Sequence, residues 1–204
     1  ILFLLMPLAN HAQLVNFTKT DCDGVEHDLF TDLQAGNAVI LNFCAGWCGP
    51  CRLADPYLEE FYQETCEGTL NIKTYGMLFE NNSRGQTDCV FGQDYASQYG
   101  LTFPIITDCS DIYYSHFSSY ANFLPLFLVI IPDTVNPENS EVIVMIGAEV
   151  VGQGWENLSN AIKDVLKENG FLPGITSTLE ELCVEEPFTV ELSSNFTDGN
   201  TWST

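Results

Sequence analysis

Two cysteines separated by two residues, Cys48 and Cys51, are the side chains of this sequence best suited to chemistry. In thiol-disulfide exchange a thiolate attacks a disulfide, and a second nearby thiol resolves the mixed disulfide that forms. The pair lies between an apolar run that ends near Phe43 and a segment of helical periodicity that begins near Pro50. Cys48 would therefore lie at a helix N-terminus, where unpaired N–H groups and the helix dipole favour a thiolate.

The two cysteines would have different roles because of where the helix places them. We expect Cys48 to attack and Cys51, one turn inside the helix and less accessible, to resolve. Pro50 is tolerated in a first helical turn because its missing N–H would have no partner there. Gly49 leaves room for a client backbone to approach. An inert bridge is the alternative, and the flanking Trp47 at a strand-to-helix junction disfavours it.

The same cysteine spacing also occurs in zinc sites, which need four nitrogen or sulfur ligands and usually two such pairs. The sequence contains no second Cys-x-x-Cys, and its histidines, His11, His27 and His116, are far apart. We therefore predict neither a metal site nor another cofactor.

The segments around the pair alternate between strand and helix patterns, as in an α/β protein. The continuous apolar run over 38–43 predicts a central strand covered on both faces. Apolar residues at helical spacing, Leu53 among them, predict a helix over 50–66 with a kink at Pro56. Further strands are expected over 14–18, 25–30, 72–79, 103–107, 126–131 and 142–146, and helices over 89–99, 112–120 and 155–168.

A resemblance to the thioredoxin superfamily, and more narrowly to its exported TlpA/ResA-like reductases, rests on the run NFCAGWCGPCR at 42–52. Segments 99–104 and 122–130 support it. The resemblance implies a thioredoxin fold of class α/β: a central mixed sheet flanked by helices, with an N-terminal β-hairpin and an inserted strand-helix element. In the family, segment 122–130 carries a cis-proline that faces the redox pair. Pro125 is therefore the expected cis residue, and the backbone of Leu124 is expected to pair with the client chain.

The resemblance also implies an activity and partners. The Gly-Pro dipeptide between the cysteines is similar to that of thioredoxin, whose potential is about −270 mV, against about −120 mV for DsbA. We therefore expect a reductant of client proteins that carry cysteine pairs, recharged by a membrane electron donor.

Two departures from the family pattern leave the base for Cys51 unassigned. Many thioredoxins carry a buried acid where Asn42 stands, and many ResA-like proteins carry a Glu where Ala54 stands. Asp55 is one helical turn from Cys51 and could face the same side. We nevertheless expect Asp55 to be a solvated charge on the helix surface.

The two ends of the sequence differ in composition from the centre. Residues 1–13 are interpreted as the remnant of a secretory signal, since a short apolar run precedes Ala12, a small residue suited to a cleavage site. This run is shorter than the about 20 residues of a transmembrane helix. Residues 14–170 would form the thioredoxin-like domain, and 171–204 a linker or the start of a further domain. The predicted location is periplasmic or extracellular.

The remaining cysteines suit an oxidising compartment, where structural bridges persist. Cys89 and Cys109 would fall at the same edge of the sheet, which makes them a candidate bridge. Cys44 is expected to be a small buried residue. Cys22, Cys66 and Cys183 have no assignable partner.

The charge of the chain excludes one class of partner. The sequence has 28 acidic and 6 basic residues, for a formal net charge of −22. Such a surface repels phosphate backbones, so nucleic acid is not an expected partner.

Two other functions stay open. A peroxiredoxin-like peroxidase shares the fold, but that family needs Thr or Ser three residues before its attacking cysteine, where this chain has Ala45. The second alternative is a non-enzymatic thioredoxin-fold module of a larger secreted protein.

Overall fold

A five-stranded mixed sheet lies at the centre of the computed structural model, which describes residues 13–65, 70–121, 123–145 and 155–172. In chain order the strands are β1 (Thr18–Thr20), β2 (Glu26–Asp28), β3 (Ala38–Ala45), β4 (Ile72–Glu80), β5 (Ile105–Ile106), β6 (Leu126–Ile131) and β7 (Glu141–Val144). The helices are α1 (Leu29–Gln34), α2 (Gly49–Glu64), α3 (Cys89–Tyr99), α4 (Ser110–Ile112) and α5 (Leu158–Glu168). The central sheet has the order β5-β4-β3-β6-β7.

Strand β3 is the middle strand of this sheet, and all eight of its residues are buried. It pairs in parallel with β4 and antiparallel with β6. Because neighbours cover both of its edges and helices cover the sheet, a continuous apolar run is the expected composition. The predicted central strand and the mixed α/β sheet are confirmed.

The register of β6 brings the two segments of interest to one edge of the sheet. Phe43 in β3 is paired with Leu126, the first residue of β6. Pro125, which precedes Leu126, therefore lies beside the end of β3, from which the chain continues into the cysteine pair. The strands and turns thus place residues 124–125 and 46–51 at the same edge.

The N-terminal hairpin is confirmed, but its strands are shorter than predicted, and β1 begins at Thr18, where the strand predicted over 14–18 was expected to end. Strands β1 and β2 form a separate two-stranded sheet in which Thr18 is paired with Asp28. The strand predicted over 25–30 ends at Asp28, because the carboxylate of this residue caps α1 by accepting the N–H of Thr31 at 2.8 Å.

Helices differ from the predictions at two places. Helix α2 contains Pro56, as predicted, but Leu53, predicted to face inward, is 65% exposed. The helix predicted over 112–120 begins two residues earlier, as α4, and continues as a π-helical turn over Tyr113–Phe117. No helix among the described residues is long and apolar enough to cross a membrane.

The predicted bridge between Cys89 and Cys109 is wrong, because Cys89 is bonded to Cys22. The turn of the hairpin lies against β5, where the Cys22 N–H donates to the carbonyl of Ile105 at 3.0 Å. Cys109 instead turns into the core as a fully buried thiol, and its Sγ donates to the carbonyl of Ile106.

Several predictions concern residues that lie outside the described part of the chain. These are the signal remnant up to residue 12, the segment after residue 172, and the two cysteines Cys66 and Cys183. They stay predictions.

The bridge between the hairpin and α3 should contribute strongly to stability, because it joins residues 67 positions apart. We expect the double variant Cys22→Ser/Cys89→Ser to lose about 2–4 kcal/mol of unfolding free energy, since a long loop is no longer closed in the unfolded chain. Urea denaturation of the oxidised protein measures the loss, with Cys109→Ala as a control that removes a cysteine but no bridge. A peptide map that links Cys89 to Cys109 would contradict the assignment.

Candidate active site

Cys48 and Cys51 form a disulfide at the N-terminus of α2. Cys48 is the N-cap residue, and its Sγ accepts the N–H of Cys51 at 3.1 Å. Its side chain is 3% exposed, whereas Cys51 is fully buried. The pair thus lies where a helix N-terminus favours a negatively charged sulfur, and Cys48 is the more accessible of the two.

The two residues between the cysteines occupy the first turn of α2. Gly49 and Pro50 are its first two residues, so the missing N–H of Pro50 costs no helical hydrogen bond. A Cβ at Gly49 would meet no atom within 4 Å, so the space beside its backbone is open. An approaching chain would meet no side chain at this position.

Trp47, directly before the pair, is held by a carboxylate from the end of β4. Its indole Nε1–H donates to Glu80 Oε2 at 2.6 Å, and Tyr114 O–H donates to Glu80 Oε1 at 2.6 Å. The hydrogen bond to Glu80, together with partial burial, raises the pKa of Tyr114 to about 12, so the phenol stays a donor. The guanidinium carbon of Arg84 lies 4.0 Å from the centroid of the indole.

Sequence reasoning did not find Glu80, Arg84 or Tyr114 as neighbours of Trp47. Glu80 ends β4, Arg84 follows it, and Tyr114 belongs to the π-helical turn. Their separations from Trp47 are 33 to 67 positions, and no motif connects them. Only the parallel pairing of β3 with β4 brings the ends of these strands together.

The turn between β3 and the cysteines is fixed from both sides. Gly46 N–H donates to the carbonyl of Glu80 at 2.7 Å, and the guanidinium of Arg52 donates to the carbonyl of Gly46. A Cβ at Gly46 would lie 2.6 Å from the ring of Phe91 and 2.9 Å from the backbone nitrogen of Asn82. Only glycine fits this position without displacing backbone.

Asp55 is buried, which corrects the expectation of a solvated helix charge. It is 1% exposed, and its Oδ1 accepts the side-chain N–H of Asn42 at 2.8 Å. Its Oδ2 accepts the O–H of Tyr95 at 2.6 Å and lies 3.7 Å from the Sγ of Cys44. Asp55 follows Cys51 by four residues and therefore lies on the same, buried face of α2. Its hydrogen-bond partners belong to β3 and α3, so the sequence around Asp55 does not indicate them.

Burial shapes the protonation of this cluster, which consists of Asn42, Cys44, Asp55 and Tyr95. Burial raises the pKa of Asp55, although the hydrogen bonds from its three partners lower it in part. Burial also raises the pKa of Cys44 and that of Tyr95, so both stay protonated donors. Asp55 is therefore the one acid of the cluster that ionises more readily than a thiol or a phenol, and burial makes it hold its proton to a higher pH than an exposed aspartate does. The prediction that Cys44 is buried is confirmed.

A cleft of about 380 Å³ opens beside the cysteine turn. Arg52 and Gly46 line it on the side of the redox pair, and Phe91, Tyr95 and other residues of α3 line it on the opposite side. Tyr95 thus contacts both the cleft and the carboxyl of Asp55. Tyr95 is thus the residue that separates the cleft from the buried cluster.

The peptide bond between Leu124 and Pro125 is cis, as predicted. Pro125 is buried and Leu124 is half-buried. Their role in binding a client stays a prediction. Among the described residues no group of three or more His, Cys, Asp or Glu side chains could hold a metal ion.

Known proteins resemble this chain in sequence and in fold. The sequence profile of the Redoxin family matches residues 9–131, more than half of the chain. The thiol-disulfide oxidoreductase ResA of Geobacillus thermodenitrificans is 34% identical over 96 residues, which cover 47% of this chain and 49% of ResA. The chain spans about half the length of the curated relatives it matches.

Two solved structures share the fold. A thiol:disulfide interchange protein of Chlorobium tepidum has a TM-score of 0.53 at 21% identity, over 76% of this chain and 96% of its own. A secreted disulfide oxidoreductase of Mycobacterium tuberculosis has a TM-score of 0.51 at 20% identity, over 72% and 95%. The expected thioredoxin fold is confirmed, and the ResA-like resemblance agrees with the curated relatives. The chain belongs to the Redoxin family.

Proposed function

We propose that this protein is a thiol-disulfide oxidoreductase that reduces disulfides of client proteins through Cys48 and Cys51. The observation that carries the proposal is the position of the pair, with Cys48 as the N-cap of α2 and Cys51 buried one turn further. A helix N-terminus favours the thiolate that exchange requires. The similarity to ResA over half its length supports the same activity.

The reaction begins from the dithiol form. The Cys48 thiolate attacks one sulfur of the client disulfide, and the other client sulfur leaves as a thiolate that takes up a proton. Cys51 then loses its proton and attacks the Sγ of Cys48, which releases the second client sulfur. The client gains two electrons and two protons, and the protein ends with the Cys48–Cys51 disulfide. An electron donor, which we expect at the membrane, restores the dithiol.

Asp55 is the proposed acceptor of the Cys51 proton. Residues four apart on a helix lie on the same face with Cβ atoms about 5–6 Å apart, and both of these side chains face the core. Burial raises the pKa of Asp55, so its proton affinity is closer to that of a thiol than the proton affinity of an exposed carboxylate would be. The proton then reaches solvent past Tyr95, whose phenol contacts both Asp55 and the cleft.

Client binding is proposed at the edge that carries residues 124–125. The pairing of Phe43 with Leu126 places Leu124 and Pro125 beside the end of β3. An extended client could add its backbone to Leu124 as a further strand, while the open space at Gly49 admits its chain. Such recognition depends on backbone groups and tolerates different client sequences.

The proposed location is periplasmic or extracellular. The bridge between Cys22 and Cys89 supports it, because structural disulfides persist in oxidising compartments. The Mycobacterium tuberculosis protein of similar fold is secreted.

Two assays separate the proposal from its two rival functions. Reduction of insulin disulfides by the dithiol form supports the proposal, whereas a non-enzymatic module would leave insulin intact. A pre-reduced peroxidase would rapidly consume one equivalent of peroxide at the expense of its own dithiol, and would turn over further only with a thiol donor. Ala45, which replaces the Thr or Ser of peroxiredoxins, provides no hydroxyl for peroxide.

The roles of the two cysteines can be separated by trapping. We expect Cys51→Ser to attack client disulfides and accumulate mixed disulfides, because only the resolving thiol is lost. Cys48→Ser should form none. Non-reducing electrophoresis with a disulfide-containing client measures the adducts, and Cys109→Ala serves as a control that should form none. Adducts from Cys48→Ser alone would reverse the assignment.

The direction of electron transfer depends on the midpoint potential of the pair. Because Gly and Pro separate the cysteines, as in thioredoxin, we expect a midpoint closer to about −270 mV than to about −120 mV. Titration with glutathione or dithiothreitol, followed by mass analysis of alkylated Cys48 and Cys51, measures it. A midpoint above about −150 mV would favour an oxidase.

The role of Asp55 predicts two pH-dependent effects of Asp55→Asn. Exchange should slow by about 100-fold at neutral pH, since the proton acceptor is lost. A raised carboxyl pKa means that ionisation destabilises the fold as pH rises above the ordinary value of 3.8. Unfolding in urea should therefore show the variant gaining stability relative to the wild type as the pH rises from 3.8 through the raised pKa of Asp55.

The exposed Glu60 on the same helix provides the matched control for Asp55. Glu60→Gln makes the same change of carboxylate to amide without touching the cluster, so neither effect should appear. If Asp55→Asn and Glu60→Gln have the same exchange rate and the same pH dependence of stability, Asp55 is not the acceptor.

A further inference from the structure

The few positive charges of this acidic chain are unevenly distributed. Three lysines, Lys19, Lys163 and Lys167, each lie within 4.0 Å of a carboxylate. Neither arginine has a carboxylate partner among the described residues, and both arginines, Arg52 and Arg84, lie in the segments around the redox pair. Of the three cations without a carboxylate partner in the described part of the chain, two therefore lie where clients would bind, and the third, Lys73, lies near the start of β4.

Arg84 is fixed in position by its turn. Its backbone has a φ of 61°, a left-handed conformation that is uncommon for residues other than glycine. Arg84 N–H donates to the carbonyl of Asn81 at 3.1 Å, and the Asn81 side chain accepts the N–H groups of Ser83 and Gly85 at 2.9 and 3.0 Å. The turn thus holds the Arg84 side chain over Trp47.

The contact with Trp47 leaves the donors of Arg84 available. A guanidinium that packs on an aromatic ring keeps its five N–H groups at the edge of its plane. Arg84 is exposed, and no acceptor among the described residues takes a hydrogen bond from its guanidinium. Glu80 is the carboxylate that contacts the same indole, and both of its oxygens are engaged by Trp47 and Tyr114.

We propose that Arg84, packed on Trp47 beside Cys48, forms a subsite that selects client segments carrying a carboxylate close to their disulfide. The guanidinium edge matches a carboxylate through two parallel hydrogen bonds. Trp47 is the immediate neighbour of Cys48, so a client carboxylate on Arg84 would lie within a few residues of the attacked sulfur. The inference rests on the proposed reductase function.

The overall charge opposes the binding of an acidic client segment elsewhere on the surface. With a formal net charge of −22, the rest of the surface repels an acidic client segment. Arg84 is therefore one of the few sites on this surface that would attract a carboxylate. The opposite outcome, a preference for basic clients attracted by the acidic surface, is the result that would overturn the inference.

The test compares matched peptides that each contain one internal disulfide. The residue after the second cysteine is Glu, Gln or Lys, and the C-terminus is amidated. A fourth peptide, with Gln and a free C-terminal carboxylate, distinguishes a side-chain carboxylate from a terminal one. Rate constants are measured in single turnovers with the pre-reduced protein. We expect the Glu peptide to react about three- to tenfold faster than the Gln peptide, and the difference to shrink in high salt.

Variants assign the preference to Arg84. Arg84→Gln should abolish the difference between the Glu and Gln peptides, whereas Arg84→Lys should keep part of it, since the charge stays but the planar fork is lost. Lys73→Gln is the matched control for net charge, because Lys73 lies seven residues from Glu80 along β4, about 23 Å at 3.3 Å per residue. It should keep the full preference.

Each outcome is decisive. If the wild type reduces the Glu and Gln peptides equally, or prefers Lys, the subsite is excluded while the reductase function stands. If the preference survives in Arg84→Gln, another residue is responsible and the inference is wrong. If the wild type reduces none of the peptides, the proposed function itself fails.

Discussion

The burial of one carboxyl group connects the three elements that form the redox site. Asp55 lies in the core, and a buried carboxyl is costly unless hydrogen bonds compensate for lost water. The donors come from Asn42 and Cys44 on β3 and from Tyr95 on α3. The cysteine pair begins the helix that carries Asp55, so its position depends on the same set of hydrogen bonds.

The second disulfide extends this arrangement to the N-terminal hairpin. Cys89 is the first residue of α3, and Tyr95 lies on the same helix, less than two turns further on. The bond to Cys22 fixes the start of α3 against the hairpin, where Thr107 Oγ1 also lies within 3.8 Å of both sulfurs. A bridge remote from the chemistry thereby helps to position the phenol that contacts Asp55.

Local sequence patterns predicted the features that depend on neighbours in sequence, such as the bounds of strands and helices. They did not predict burial and disulfide pairing, which depend on residues far away in the sequence. Strand β6 and helix α3 have the predicted bounds, because periodicity and flanking turns define them. The site at the start of α2 followed from the spacing of Cys48 and Cys51. The burial of Asp55 could not be foreseen, since one helix face has the same spacing whether it meets solvent or a tyrosine from another element. The partner of Cys22 lies 67 residues away and is fixed by tertiary packing alone.

The sulfur that carries the chemistry is also the atom that begins the helix. Helices α1 and α3 are capped by carboxylate oxygens of Asp28 and Asp88, each 2.8 Å from the nitrogen of the N–H that it accepts. Helix α2 begins with Cys48, whose sulfur is a weaker acceptor at 3.1 Å. In the disulfide form the bond between Cys48 and Cys51 also closes this first turn covalently. Once the pair is reduced, the weaker cap holds the turn alone, and it is then the segment of the site that can fray at least cost. Cys51 must approach Cys48 within that same turn, so a loose start to the helix gives the resolving thiol its freedom of movement.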